Sequence, residues 1–262
     1  MKTFHSTHRR IVARAEPARA IFRAPHKQSG LSLVELMVAM TIGLFLMLVV
    51  ANLFIGSKQT YRNQDNLSRL QENGRFAISL MAKNIREAGY HSMVFNPPGT
   101  MYTPLTNIAA WPYSAAVISG VEGTSGLPDS ITLSSDNTVD CMNATVTTPA
   151  TNTFTANASA QLTCTSVNNN KTAVLLDGVE DMQILYGENL GSTHRYVPYG
   201  TTGLNMGNVD TVRICMLLRT LESSLTVNAQ TYTDCKGNSV SSTDGRIREA
   251  FSETFSIRSR TQ

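Results

Sequence analysis

The sequence contains no phosphate-binding G-x-x-x-x-G-K-[ST] loop, no G-x-G-x-x-G, no G-x-S-x-G elbow and no H-E-x-x-H helix. The best-marked nucleotide, hydrolase and metallopeptidase chemistries therefore have no local motif here, and no catalytic residue or cofactor is expected. Histidine is scarce. His5, His8 and His26 crowd the first thirty residues, while His91 and His194 stand alone. The four cysteines, Cys141, Cys164, Cys215 and Cys235, form no C-x-x-C pair and have no histidine at zinc-ligand spacing. No metal site is expected. Asp177, Glu180 and Asp181 form a loose acidic cluster, but their spacing matches no calcium loop, and a hard cation takes about six to eight oxygens. The lone histidines and the Tyr196–Tyr199 pair are read as surface and packing residues.

Charge is also unevenly spread. Residues 1–30 hold seven Lys or Arg against one acid, Glu16. The remaining chain holds fifteen basic and eighteen acidic residues, so its net charge is −3 against +3 for the whole. The basic excess is a tail and does not mark a nucleic-acid-binding surface. At 42% hydrophobic and 16% charged, the composition excludes global disorder. An even cysteine count suits two disulfides in an oxidising compartment, with free buried thiols as the alternative.

One long apolar run is present. Leu36–Ile55 has twenty residues and no charge. As a helix it spans about 30 Å, one hydrocarbon core. The seven basic residues of 1–30 precede it, so the positive-inside rule predicts that this stretch stays in the cytoplasm and that the chain after about residue 56 is exported. A secretory signal cut at Val49-Val50-Ala51 would need a shorter core. An ordinary signal anchor fits the length but gives Glu35 no role. Cleavage after Gly30 leaves Leu31 as a new N-terminus with Glu35 fifth in the helix, where the carboxylate can pair with an α-ammonium of its own or a neighbouring chain.

Gly30 followed by LSLVELMVAMTIGLFLMLV resembles the leader and first helix of type IV pilins and type II secretion pseudopilins. Leu31 stands where that family commonly has Phe, and the leader is long. Residues 55–90, with LQENGRFA and IREAGY, resemble PilW-type minor pilins, as do VEDMQILYG (179–187), RYVPYG (195–200), VDTVRICMLLRT (209–220) and REAFSETFSIRSR (248–260). The resemblance implies cleavage between Gly30 and Leu31 by a prepilin peptidase, N-methylation of Leu31, and a charge-pairing role for Glu35 in assembly. It implies no enzyme activity, no small-molecule substrate and no nucleic-acid partner. Its implied partners are other minor pilins, the major pilin, the inner-membrane assembly platform and a tip adhesin, with a role in priming pilus assembly near the tip. A J-type pseudopilin is the alternative within filament systems, and a signal-anchored periplasmic binding protein or enzyme the alternative of another class.

The expected organisation is a removed leader over 1–30, a membrane and filament-core helix over 31–56, an amphipathic half over 57–90 and a β-rich periplasmic head over 91–262. Leu67, Leu70, Ala77, Leu80, Met81, Ile85 and Ala88 form a helical stripe that docks on the chain's own domain, with Gly89 as its stop and Gly74 a weak point or close-packing site. Residues 92–172 read as loop-rich, apart from a strand at 129–135 and a turn at 168–171. Further strands are expected around an Asp177-Gly178 turn, at 209–218 and at 251–257. The fold class is α+β, a long helix on an antiparallel sheet. Sequential pairing, Cys141–Cys164 and Cys215–Cys235, is preferred for locality alone. The resemblance supports the second pair more than the first.

Overall fold

The computed structural model describes residue 30 and residues 32–90, 117–124, 126–147, 149–226 and 228–260. One helix, α1 (Leu33–Glu87), precedes eleven strands among these residues. The chain divides into two compact units between Leu53 and Phe54.

The second part of α1 forms because its apolar residues recur every three or four positions. Leu70, Gly74, Ala77, Met81 and Ile85 are buried and lie on one stripe. The helix ends at a glycine: Gly89 takes φ +71°, and its N–H donates 2.8 Å to the Ser134 carbonyl.

The strands form two main antiparallel sheets. The first is a five-stranded meander of β1 (Ile118–Val121), β2 (Ser130–Ser135), β3 (Ala150–Ala156), β4 (Gln161–Ser166) and β5 (Lys171–Asp177). The second has four strands in the order β11-β8-β6-β7, from β6 (Val179–Asn189), β7 (His194–Val197), β8 (Val209–Arg219) and β11 (Arg248–Ser256). A separate hairpin pairs β9 (Gln230–Thr233) with β10 (Ser239–Ser242). The α+β class holds: a long helix packs on antiparallel sheets through a shared core that includes Met81, Ile85, Phe154, Leu162, Ile184, Ile214 and Phe255.

One expectation is corrected. Residues 150–166 are not loop but two central strands. Ala150, Asn152, Phe154 and Ala156 point inward, and the threonines between them point out. The outward hydroxyls bond across strands, Thr132 to Thr153 at 2.8 Å and Thr165 to Thr172 at 2.8 Å. The abundance of Thr, Asn and Ala disguises the strict alternation of β3. The strands expected around Asp177-Gly178 are present as β5 and β6. β5 ends one sheet and β6 begins the other. Gly178 makes the passage at φ +91°, where its N–H bonds the Ala160 carbonyl and its carbonyl accepts from Arg219 N–H, both at 2.8 Å. The strands expected at 129–135, 209–218 and 251–257 are present as β2, β8 and β11, and residues 167–170 are the turn before β5.

Asp129 joins the two sheets. Its N–H donates to the Met182 carbonyl, and its carboxylate accepts from Ile184 N–H at 2.7 Å and Gly123 N–H at 2.8 Å. The side chain thus pairs with a part of β6 that β7 does not reach. Burial pushes its carboxyl above the usual range, opposed by the two N–H donors.

Candidate functional site

Every residue from Ser32 to Lys58 is exposed. Seventeen large apolar side chains from Leu33 to Ile55 face outward. At about 1.5 kcal/mol for each, water opposes this arrangement by roughly 25 kcal/mol. That exceeds the net stability of a typical domain, about 5–15 kcal/mol. The segment therefore requires lipid or protein around it. Among the described residues, α1 is the one helix long and apolar enough to cross a membrane.

Gly30 is exposed, and a Cβ there would meet no atom of the described residues within 4 Å. Leu31 lies outside the described residues. Glu35 occupies the first turn of α1, which the Leu36 N–H closes onto the Ser32 carbonyl at 3.1 Å. The helix dipole favours a carboxylate there by about 0.3–1 kcal/mol. An acid at the centre of a membrane helix costs about 2.5–3.5 kcal/mol, so at depth the dipole alone does not offset it. A cation beside Glu35 would.

Beyond the apolar run, α1 is fastened to the head along its length. The Gln59 amide donates to the Leu225 carbonyl at 3.1 Å. Arg62 and the largely buried Asn66 both donate to Glu222, at 3.1 and 3.3 Å. The Arg62 guanidinium, then Asn66, holds the Glu222 carboxyl below its ordinary value. At the far end, the Arg86 guanidinium lies 5.6 Å over the Phe255 ring, and the Ser259 hydroxyl donates 2.8 Å to the Ala88 carbonyl.

Each cysteine is joined to its neighbour in sequence, Cys141 to Cys164 and Cys215 to Cys235. The second bond ties the β9–β10 hairpin to β8. Arg248 reinforces it by pairing with Glu180 at 2.6 Å and Asp244 at 2.7 Å, and its guanidinium lies 5.2 Å over Tyr232. The bond from Arg248 is the main cause holding Asp244 well below the usual carboxylate range.

The acidic cluster does not converge. Asp177 accepts from the Gln161 amide, Glu180 pairs with Arg219 and Arg248, and Asp181 accepts from Met182 N–H and Gln183. No group of three potential metal ligands exists among the described residues. His194 lies 2.9 Å from Asp210, and His91 is outside the described residues. Tyr199 packs edge-on to Tyr186 at 5.9 Å, whereas Tyr196 lies under Arg213. The fastening residues Gln59, Arg62, Asn66 and Glu222 are not legible in the sequence, because polar residues on a helix and in a loop carry no period that pairs them.

Comparison with known families gives two matches. Residues 145–259 match the model for type IV pilus-assembly protein W, and residues 25–51 match the prokaryotic N-terminal methylation motif. Among solved structures, the chain is similar to a type IV-like pilin from Thermus thermophilus at 12% identity and a TM-score of 0.45, covering 74% of this chain and 98% of that one. No curated protein matches.

Proposed function

We propose that this chain, which belongs to the PilW-type pilins of the type IV pilus, acts as a minor pilin that primes pilus assembly within a tip-located complex of minor pilins. The observation that carries this reading is the division of α1. Its first part exposes a mainly apolar surface on which Glu35 is the one charged residue from Leu33 to Ile55, and its second part is bonded to the head. A helix built this way can leave lipid for the core of a filament without losing its hold on the head.

In this reading a prepilin peptidase cuts after Gly30 and methylates the Leu31 amine. Residues 31–56 anchor the subunit in the inner membrane, with residues 57–90 and the head 91–262 in the periplasm. On assembly the same helix enters the filament, where Glu35 offsets the N-terminal charge of a neighbour. The partners are the other minor pilins, the major pilin, the assembly platform and a tip adhesin.

Mass spectrometry of the intact N-terminus from cell membranes tests the processing. N-methylated Leu31 is expected. A terminus at residue 1 would make the chain an ordinary signal-anchored protein and would remove the role given to Glu35. A Glu35→Ala variant should be cleaved normally and fail to enter filaments; normal entry would refute the charge pairing. A deletion strain should lose twitching motility with protein secretion intact, and the opposite pattern would place the chain in a type II secretion system.

A further inference from the structure

The four-stranded sheet buries Met182, Ile184, Tyr186, Val212, Ile214 and Met216 on one face. The opposite face carries an arrangement that neither the core nor the anchor uses. The strand register sets Tyr196, Gly187 and Thr211 side by side across β7, β6 and β8. One step along, Arg213 stands beside Thr254 of β11. A Cβ on Gly187 would overlap the Thr211 hydroxyl and lie 2.9 Å from Tyr196 Cε1. The missing side chain opens a lane across β6, and the Tyr196 ring extends along it. The Arg213 guanidinium lies 4.4 Å over that ring, and its Nε donates 3.2 Å to the Thr254 hydroxyl. The Thr211 hydroxyl donates to Tyr196 Oη at 3.4 Å.

Arg213 is thus held in place yet exposed, and no carboxylate among the described residues forms an ion pair with it. Arg62, Arg69, Arg195, Arg219, Arg246 and Arg248 each have an acidic partner. A guanidinium has five N–H donors, and Thr254 engages one. Its planar fork matches a carboxylate, and a guanidinium already stacked on tyrosine loses less freedom on binding. The surrounding positions on this face, Leu185, Thr211, Ser252, Thr254 and Ser256, are uncharged. A single fixed cation among neutral neighbours suits one carboxylate. A polyanion such as nucleic acid would need a row of cations.

We propose that Arg213, stacked on Tyr196 across the gap left by Gly187, docks a carboxylate side chain of a neighbouring filament subunit. The identity of the partner as a subunit rests on the pilin reading, whereas the platform itself does not.

The test uses the full-length chain in membranes, produced with the other pilin subunits of its own system. A photo-crosslinking residue replaces the exposed Ser252. Crosslinks are expected to a segment of another subunit bearing Asp or Glu. Arg213→Glu should cut their yield at least about tenfold, as loss of an interface arginine anchor does. Tyr196→Ala, which keeps the charge and removes its support, should also reduce it. Reversing the partner's acid to Arg should restore the yield with Arg213→Glu. An unchanged yield in Arg213→Glu, or crosslinks confined to lipid or to segments without a carboxylate, would overturn the proposal. Thermal melting checks folding, and Arg213→Met replaces the Glu variant if that one melts without cooperativity. If Leu31 proves uncleaved from its leader, the pilin reading falls, while a crosslink to an acidic segment of another exported protein would keep the platform.

Discussion

A Cβ built on Gly74 lies 2.6 Å from Phe251 Cε1 and closer still to the Cε2 and Cζ atoms of the same ring. The helix therefore gives up a side chain so that the aromatic of β11 can lie against its backbone. Glycine inside a helix costs about 1 kcal/mol relative to alanine, so this position is not chosen for helix stability.

Gly74→Ala should destabilise the head despite the gain in helix propensity. Overpacking typically costs about 1–3 kcal/mol, which equals or exceeds that gain. Chemical denaturation of the detergent-solubilised chain reads the effect. A Gly74→Ala, Phe251→Leu double variant should recover part of the loss, because the two sites share one contact.

Gly178→Ala should be more damaging. The residue has φ +91°, and its Cβ would lie 2.7 Å from the Arg219 carbonyl oxygen. Left-handed backbone strain alone costs an L-residue about 1–2 kcal/mol, and the backbone clash adds to it. A loss of at least about 2 kcal/mol is expected on that basis. An unchanged melting temperature would mean that the passage between the sheets tolerates another path.

Glu122→Gln should stabilise the head at neutral pH. Burial first, and Asp129 second, raise the Glu122 carboxyl above its ordinary value. A carboxyl raised in the folded state destabilises above that raised pKa, and the effect disappears below the unfolded value of about 4.3. The stabilisation by Gln should therefore fade between the raised pKa and about pH 4. Melting temperatures of both proteins across that range check it, and a gain that persists at the acid end would exclude ionisation as the cause.

Cys215→Ser with Cys235→Ser should lower stability by about 3 kcal/mol in the chain-entropy model, since the bond spans 20 residues. The loss should concentrate in β9–β10, which Arg248 would then still hold through Asp244 and Tyr232. Hydrogen exchange should show faster opening of that hairpin while β6 and β8 stay protected.

The helix and its anchor are legible because the physics is local. A twenty-residue apolar run, a carboxylate near its start and a basic stretch before it are read from spacing and charge alone. The stripe ending at Ala88 likewise announces a helix packed on one side. Strands β2, β8 and β11 are legible from their apolar alternation. β3 and β4 are not, since their buried residues include Ala150, Asn152 and Ala156 in β3 and Thr163 and Ser166 in β4, too small or too polar to register as a core face. Asp177-Gly178 marks the break between β5 and β6 without giving the direction of the chain. The dipeptide specifies a positive φ, and nothing local says whether the chain then folds back or crosses to another sheet.

By itself the sequence determined the membrane-length helix, the stripe that docks it and the α+β class, because each follows from spacing along the chain. Only the tertiary structure decided that two sheets share the core, that Asp129 joins them, and that Glu222 meets Arg62. It alone decided that Gly187 makes room for Tyr196 beneath Arg213. Those pairings join residues from 9 to 160 positions apart, brought together by strand register and core packing. A glycine in a strand or an arginine between two apolar residues means nothing until the strand beside it is known.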